Sequence, residues 1–138
     1  MITDLAGLPF DHLGVAVVDL DEASEPYELL GLEQVGTDET VEEQRVKVRM
    51  FQAGTGLVEL LESTDPTGPI AKFLQRRGPG VHHIAFRVIS LEREIDRLTH
   101  AGARFALAEP HPGRGGSRVT FLHPHWAGGV LIELVEHG

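Results

Sequence analysis

Val46, Val48 and Met50 alternate with Lys47 and Arg49, the two-residue period of a strand with one apolar and one wet face. Strands are predicted over Asp11–Val17, Val46–Gln52, Leu57–Glu62, His82–Val88, Arg118–His123 and Val130–Val135. Two stretches change to the helical period. The first runs from Asp19 to Leu30 and stops at Gly31; the second runs from Ser90 to Ala101 and stops at Gly102. In the second, Leu91, Ile95 and Leu98 form an apolar stripe among Glu92, Arg93, Asp96 and Arg97. Asp19 and Ser90 suit the N-cap, where a short oxygen-bearing side chain accepts from an unpaired amide. Pro26 interrupts the first helix and fits only near its first turn or at a kink.

The pattern occurs twice. Asp11-His12-Leu13-Gly14-Val15-Ala16-Val17 matches His82-His83-Ile84-Ala85-Phe86-Arg87-Val88, and the offset stays at 71 residues from His12/His83 to Gly31/Gly102. Glu59, in Val58-Glu59-Leu60, then matches Glu133, in Ile132-Glu133-Leu134, at an offset of 74. Between the halves Ser63–Gly68 is rich in turn residues, Pro69–Gln75 reads as a short helix with proline in first position, and Arg76–Gly80 resets the chain. His111–Ser117 reads as a loop able to cover a ligand. The expected fold is α+β: two βαβββ modules related by pseudo-twofold symmetry, forming a curved mixed sheet around a metal site. Residues 1–138 are read as one domain, with module 1 at about 8–65, a linker at about 66–80 and module 2 at about 81–138.

Charge and composition narrow the function. Twelve Lys and Arg against twenty-one Asp and Glu give a net charge of −9, which repels phosphate backbones and argues against nucleic acid. There is no cysteine, so a metal must sit on His and carboxylate ligands. Met1–Phe10 contains Asp4 and lacks the basic start and apolar core of a leader, and no segment reaches the ~20 apolar residues of a membrane span. A cytoplasmic protein with no membrane partner is expected.

His12, Glu59, His83 and Glu133 are the candidate metal ligands. Equivalent strand positions in a pseudo-twofold fold converge across its axis. Glu59 and Glu133 each stand inside an apolar strand, where an unpaired carboxylate is costly. Two imidazoles and two carboxylates neutralise a divalent ion and leave coordination positions open, a set that suits Co, Mn, Ni, Fe or Zn better than Ca or Cu(I). His82 is expected on the opposite face from His83 by strand alternation. His100 and His137 are expected in solvent, and His111, His123 and His125 beside the loop and turn of the second half.

The Asp11-His12 strand opening, Gly80-Val-His82-His83-Ile-Ala-Phe86, Phe121-Leu-His-Pro124, Gly128-Gly-Val-Leu-Ile-Glu133-Leu134 and the linker Pro69-Ile-Ala-Lys-Phe-Leu74 together resemble the methylmalonyl-CoA epimerase family of the vicinal oxygen chelate superfamily. The resemblance covers nearly the whole chain. It implies a metal on His12, Glu59, His83 and Glu133, with Co2+ the first choice among Co, Mn, Ni, Zn and Fe, an acyl-CoA substrate, and a homodimer. It also implies an epimerase that removes the α-proton of methylmalonyl-CoA from one face and returns one to the other; the symmetric site offers Glu133 and Glu59 as its acid and base, with Glu43 as fallback. Two departures stand out: some members carry a second catalytic Glu where this chain has Val48, and many carry Lys where it has His125. Lys47, Arg49 and Arg114 mark the region expected to meet the CoA phosphates. The alternatives are a glyoxalase I-type isomerase of a glutathione hemithioacetal, using the same four ligands, and a metal-free small-molecule binding module of the same fold.

Overall fold

The computed structural model describes residues 7–138; the leader reading of residues 1–6 lies outside them. The elements run β1 (Phe10–Val17), α1 (Leu20–Leu29), β2 (Glu33–Val41), β3 (Val46–Ala53), β4 (Gly56–Ser63), α2 (Pro69–Arg77), β5 (Gly80–Arg87), α3 (Leu91–His100), β6 (Phe105–Pro112), β7 (Arg118–Leu122) and β8 (Ile132–Glu136), with short 3-10 turns at Glu42–Gln44 and Arg114–Gly116. The fold is α+β and contains the expected βαβββ series twice. Among the described residues no helix is long and apolar enough to cross a membrane.

Two compact units are formed, one by residues 12–83 and one by residues 84–138 with residues 7–11. In the first, the strand order is β2-β3-β4-β1, antiparallel except for the parallel β4/β1 pair. Cross-strand register sets the faces. Gly14 pairs with Glu59 and Glu59 with Met50, while Ala16 pairs with Leu61 and Leu61 with Val48. These residues and His12 therefore share one face. Ala16, Val48, Met50 and Leu61 on that face pack with Ile70 of α2, with Phe73 and Leu74 against them. The opposite face, with Val17, Phe51 and Leu60, receives Leu20 of α1, and Tyr27 stacks on Phe51 at 5.8 Å between centroids.

The second unit repeats the plan. Its order is β5-β8-β7-β6, with β5/β8 parallel and the other pairs antiparallel. Leu134 and Val88 pack with Leu91, Ile95 and Leu98 of α3, the stripe read from the sequence. Ala85, Val119 and Val135 cluster on the other face, which also carries Glu133 through its pairing with Ala85 and Phe121.

The β1–α1 and β5–α3 connections are each fastened twice. Asp19 Oδ2 accepts from Glu22 N–H at 2.9 Å, and Ser90 Oγ accepts from Arg93 N–H at 3.3 Å. A second acceptor comes from far along the chain. Glu62, at the end of β4, takes the amide of Leu20 at 2.8 Å, and Glu136, at the end of β8, takes that of Leu91 at 2.8 Å. A carboxylate there satisfies an orphan first-turn amide and faces the positive end of the helix. Glu62→Ala is expected to lower stability by roughly 1 kcal/mol, read as a lower urea midpoint with unchanged slope; an unmoved midpoint would show the contact to be neutral.

One loop expectation is revised. His111 and Pro112 end β6, and the Gly-rich stretch after them forms a 3-10 turn with Ser117 buried. His111 pairs with Val119, giving this part of the expected loop a ladder position. Pro26 lies inside α1, beyond its first turn. The segment is short, and Ser24 Oγ reaches back to Leu20 C=O at 2.6 Å.

Candidate metal centre

β1, β4 and the start of β5 bring three of the predicted ligands together. His12 Nε2 is 3.1 Å from His83 Nε2, and Glu59 Oε1 is 3.5 Å from His12 Nε2 and 3.6 Å from His83 Nε2. The two rings meet edge to face, 5.2 Å between centroids. All three residues are buried, at 2%, 6% and 4% exposure for His12, Glu59 and His83.

The triangle fits a metal ion. Ligand atoms about 2.1 Å from a shared ion stand about 3.0 Å apart at right angles and about 3.4 Å apart at tetrahedral angles. The three observed edges fall at or just beyond that range. The donors are also of the right chemistry for a first-row divalent ion, two imidazole nitrogens and a carboxylate oxygen, with no thiol in the chain. Burial pushes the Glu59 carboxyl up, but hydrogen bonds from His12 and His83, helped by their charge, outweigh it and hold the group well below the ordinary carboxylate range.

A missing side chain makes room for His83. A Cβ built on Gly14 would lie 2.1 Å from His83 Cε1 and 2.4 and 2.5 Å from its ring nitrogens. Gly14 stands two residues from His12 on the same strand face, and a glycine inside a strand is a sequence signal of close approach that was open to reading.

His82 departs from expectation. Its Nδ1 is 2.9 Å from His83 Nδ1, and its ring meets Phe73 of α2 edge-on at 5.0 Å. Alternation sends the two Cβ atoms to opposite faces, yet Nδ1 is the ring nitrogen nearest the main chain, so the contact remains open to neighbours. Burial, with the adjacent His83, pushes the His82 imidazole down to about 4 against the opposing pull of Glu59, so it is neutral at physiological pH.

The other candidates are placed as follows. Glu133 is buried on β8, 4% exposed, on the face of its own unit that carries Ala85 and Phe121. Glu43 is exposed in the 3-10 turn before β3. Val48 is core, 2% exposed. Arg49, one of the cations expected near CoA, is held by Asp38 through two contacts of 2.8 and 2.7 Å, by Asp21 at 3.0 Å and by Ser24 Oγ at 2.8 Å. The hydrogen bond from Arg49 keeps Asp38 below its ordinary range. These bonds make Arg49 a brace between β3, β2 and α1. His137 is also recruited rather than left to solvent, 2.7 Å from buried Asp11.

Comparison with known proteins adds a lineage. The family described as Glyoxalase/Bleomycin resistance protein/Dioxygenase superfamily matches residues 11–121. Uncharacterized protein YqjC of Bacillus subtilis is 39% identical over 91% of this chain and 90% of its own. An ethylmalonyl-CoA/methylmalonyl-CoA epimerase of Cereibacter sphaeroides is 37% identical over 91% of this chain and 96% of its own. A solved methylmalonyl-CoA epimerase in complex with methylmalonyl-CoA and NH4+ superposes with a TM-score of 0.88 at 38% identity, covering 95% of both chains. The duplicated βαβββ plan, the His-Glu-His triangle and these relatives agree: the chain belongs to the glyoxalase/bleomycin resistance protein/dioxygenase superfamily, within its methylmalonyl-CoA epimerase family.

Proposed function

We propose that this protein is a metal-dependent epimerase that interconverts the two C2 epimers of methylmalonyl-CoA. The observation that carries the proposal is the buried His12–Glu59–His83 triangle, sized for one ion in a chain whose relatives include epimerases of this substrate. Glu133 is assigned as the fourth ligand, on its sequence match to Glu59 and its burial. Co2+ is the first choice of ion on the family resemblance. We place the enzyme in the cytoplasm, as the sequence reading expects, and as a homodimer on the family resemblance.

The α-proton of methylmalonyl-CoA lies between a thioester and a carboxylate, and its removal leaves negative charge on the thioester oxygen. A divalent ion, when bound, supplies Lewis-acid stabilisation of that charge. The protein must supply the proton transfers. Inversion requires an acceptor on one face of C2 and a donor on the other, roles assigned to Glu59 and Glu133. One starts as the anion and takes the proton from C2; the other starts protonated and returns a proton to the opposite face. Each turnover leaves the pair with exchanged protonation states, ready for the reverse reaction. Leu61, Val48 and Met50 keep the face around Glu59 apolar, which limits competing proton exchange with water.

Incubation of the purified protein with methylmalonyl-CoA in deuterated water tests the proposal. Deuterium is expected at C2, lost with a chelator and recovered with added cobalt. Chelator-insensitive exchange would remove the metal from the mechanism, and an absence of exchange would remove the reaction. Faster turnover of a glutathione hemithioacetal would reassign the enzyme to glyoxalase chemistry. Metal analysis showing no stoichiometric ion would favour a binding module.

A further inference from the structure

A histidine that binds a metal through Nε2 must leave that nitrogen unprotonated, so its remaining ring proton resides on Nδ1. His83 turns Nε2 toward His12 Nε2 and Glu59 Oε1, at 3.1 and 3.6 Å. Its Nδ1 faces His82 Nδ1 at 2.9 Å. Two nitrogens at that distance share one proton, with one as donor and the other as acceptor. If His83 is to ligate, its Nδ1 must be the donor and His82 Nδ1 the acceptor.

We infer that His82 is a positioning residue for the metal ligand His83: it accepts the Nδ1–H of His83 and thereby fixes both the ring's orientation and the tautomer that leaves Nε2 bare. The inference rests on the metal reading given above and extends it to a residue outside the ligand set. The acceptor is itself held. Phe73 of α2 meets the His82 ring edge-on at 5.0 Å, and Arg77 lies over the Phe73 ring at 5.8 Å. α2 thus connects the two halves of the sequence and also braces a ligand's hydrogen-bond partner. The arrangement matches the general rule that a ligating imidazole gives its second ring N–H to a fixed acceptor. Here that acceptor is a neighbouring imidazole rather than the more usual carboxylate or carbonyl. On the other side of the ring, Gly14 leaves the clearance it needs.

The test uses the full chain loaded with zinc, a diamagnetic ion suited to nuclear magnetic resonance. Nitrogen-15 spectra are expected to show a through-hydrogen-bond coupling between the two Nδ1 atoms, with the proton assigned to His83. In His82→Phe, which fills the space without offering an acceptor, zinc affinity measured by chelator competition is expected to fall by roughly 10- to 100-fold. His82→Asn, which restores an acceptor oxygen, is expected to recover most of that loss. The recovery separates a hydrogen-bonding role from a packing role. Unchanged affinity in His82→Phe, or a proton carried by His82 Nδ1 in the wild type, would overturn the inference. The metal reading fails differently: a wild type that binds no divalent ion removes the centre and this role with it, even where the coupling persists in the metal-free protein.

Discussion

Gly14→Ala is expected to lower divalent-metal affinity by at least about 100-fold while leaving the chain folded. The added methyl would sit 2.1 Å from His83 Cε1, well inside van der Waals contact. The ring cannot yield by moving outward, because His83 is only 4% exposed and is flanked by His82, which Phe73 packs against. It must swing, and Nε2 then leaves the triangle it forms with His12 and Glu59. Overpacking of this kind also costs about 1–3 kcal/mol of stability. Chelator competition reads the first effect and urea unfolding the second. The same substitution made in His83→Ala should regain the lost stability, because the atoms in collision are gone; a double variant no more stable than Gly14→Ala would place the clash elsewhere. Undiminished affinity in the single variant would mean that His83 does not ligate in the orientation described.

Glu133→Gln is expected to cut deuterium exchange at C2 of methylmalonyl-CoA by about 100-fold or more, in the range typical of a lost general acid or base. Glutamine keeps the shape and one acceptor oxygen, so packing on β8 beside Ala85 and Phe121 should survive. It cannot take a proton from carbon. Metal content has to be measured on the same sample, since a weakened ligand and a lost base would both slow exchange. A variant with full metal and wild-type exchange would strip Glu133 of its assigned role.

Much of the fold and three members of the centre were open to reading because they repeat. His12 and His83 declare themselves as second residues of matched strands, and Glu59 as a charge among Val58, Leu60 and Leu61. The remaining strands, β2 and β6, were less visible. β2 reads Glu33-Gln-Val-Gly-Thr-Asp-Glu-Thr-Val41, mostly polar and mostly exposed, so the ladder with β3 holds it rather than an apolar alternation. β6 carries Pro110 and Pro112, which sequence reasoning takes as loop punctuation. It is the outermost strand of its unit, where a missing amide donor is tolerated. The position of His82 was hidden for another reason: alternation tells which way a Cβ points, not which atoms a ring can still touch. The Arg49 brace joins residues 11, 25 and 28 positions away in sequence, a convergence that no local pattern encodes.

Glu59 and Glu62 on β4, like Glu133 and Glu136 on β8, are three residues apart. An odd spacing on a strand sends the two carboxylates to opposite sides of the sheet. One member of each couple can therefore serve chemistry while the other clasps the start of a helix, as Glu62 does for Leu20 and Glu136 for Leu91. Inserting a single residue between them would put both on the same side and sacrifice either the reaction or the clasp. On the roles proposed for Glu59 and Glu133, the three-residue interval is a constraint shared by architecture and catalysis, and it is kept in both copies of the duplicated unit.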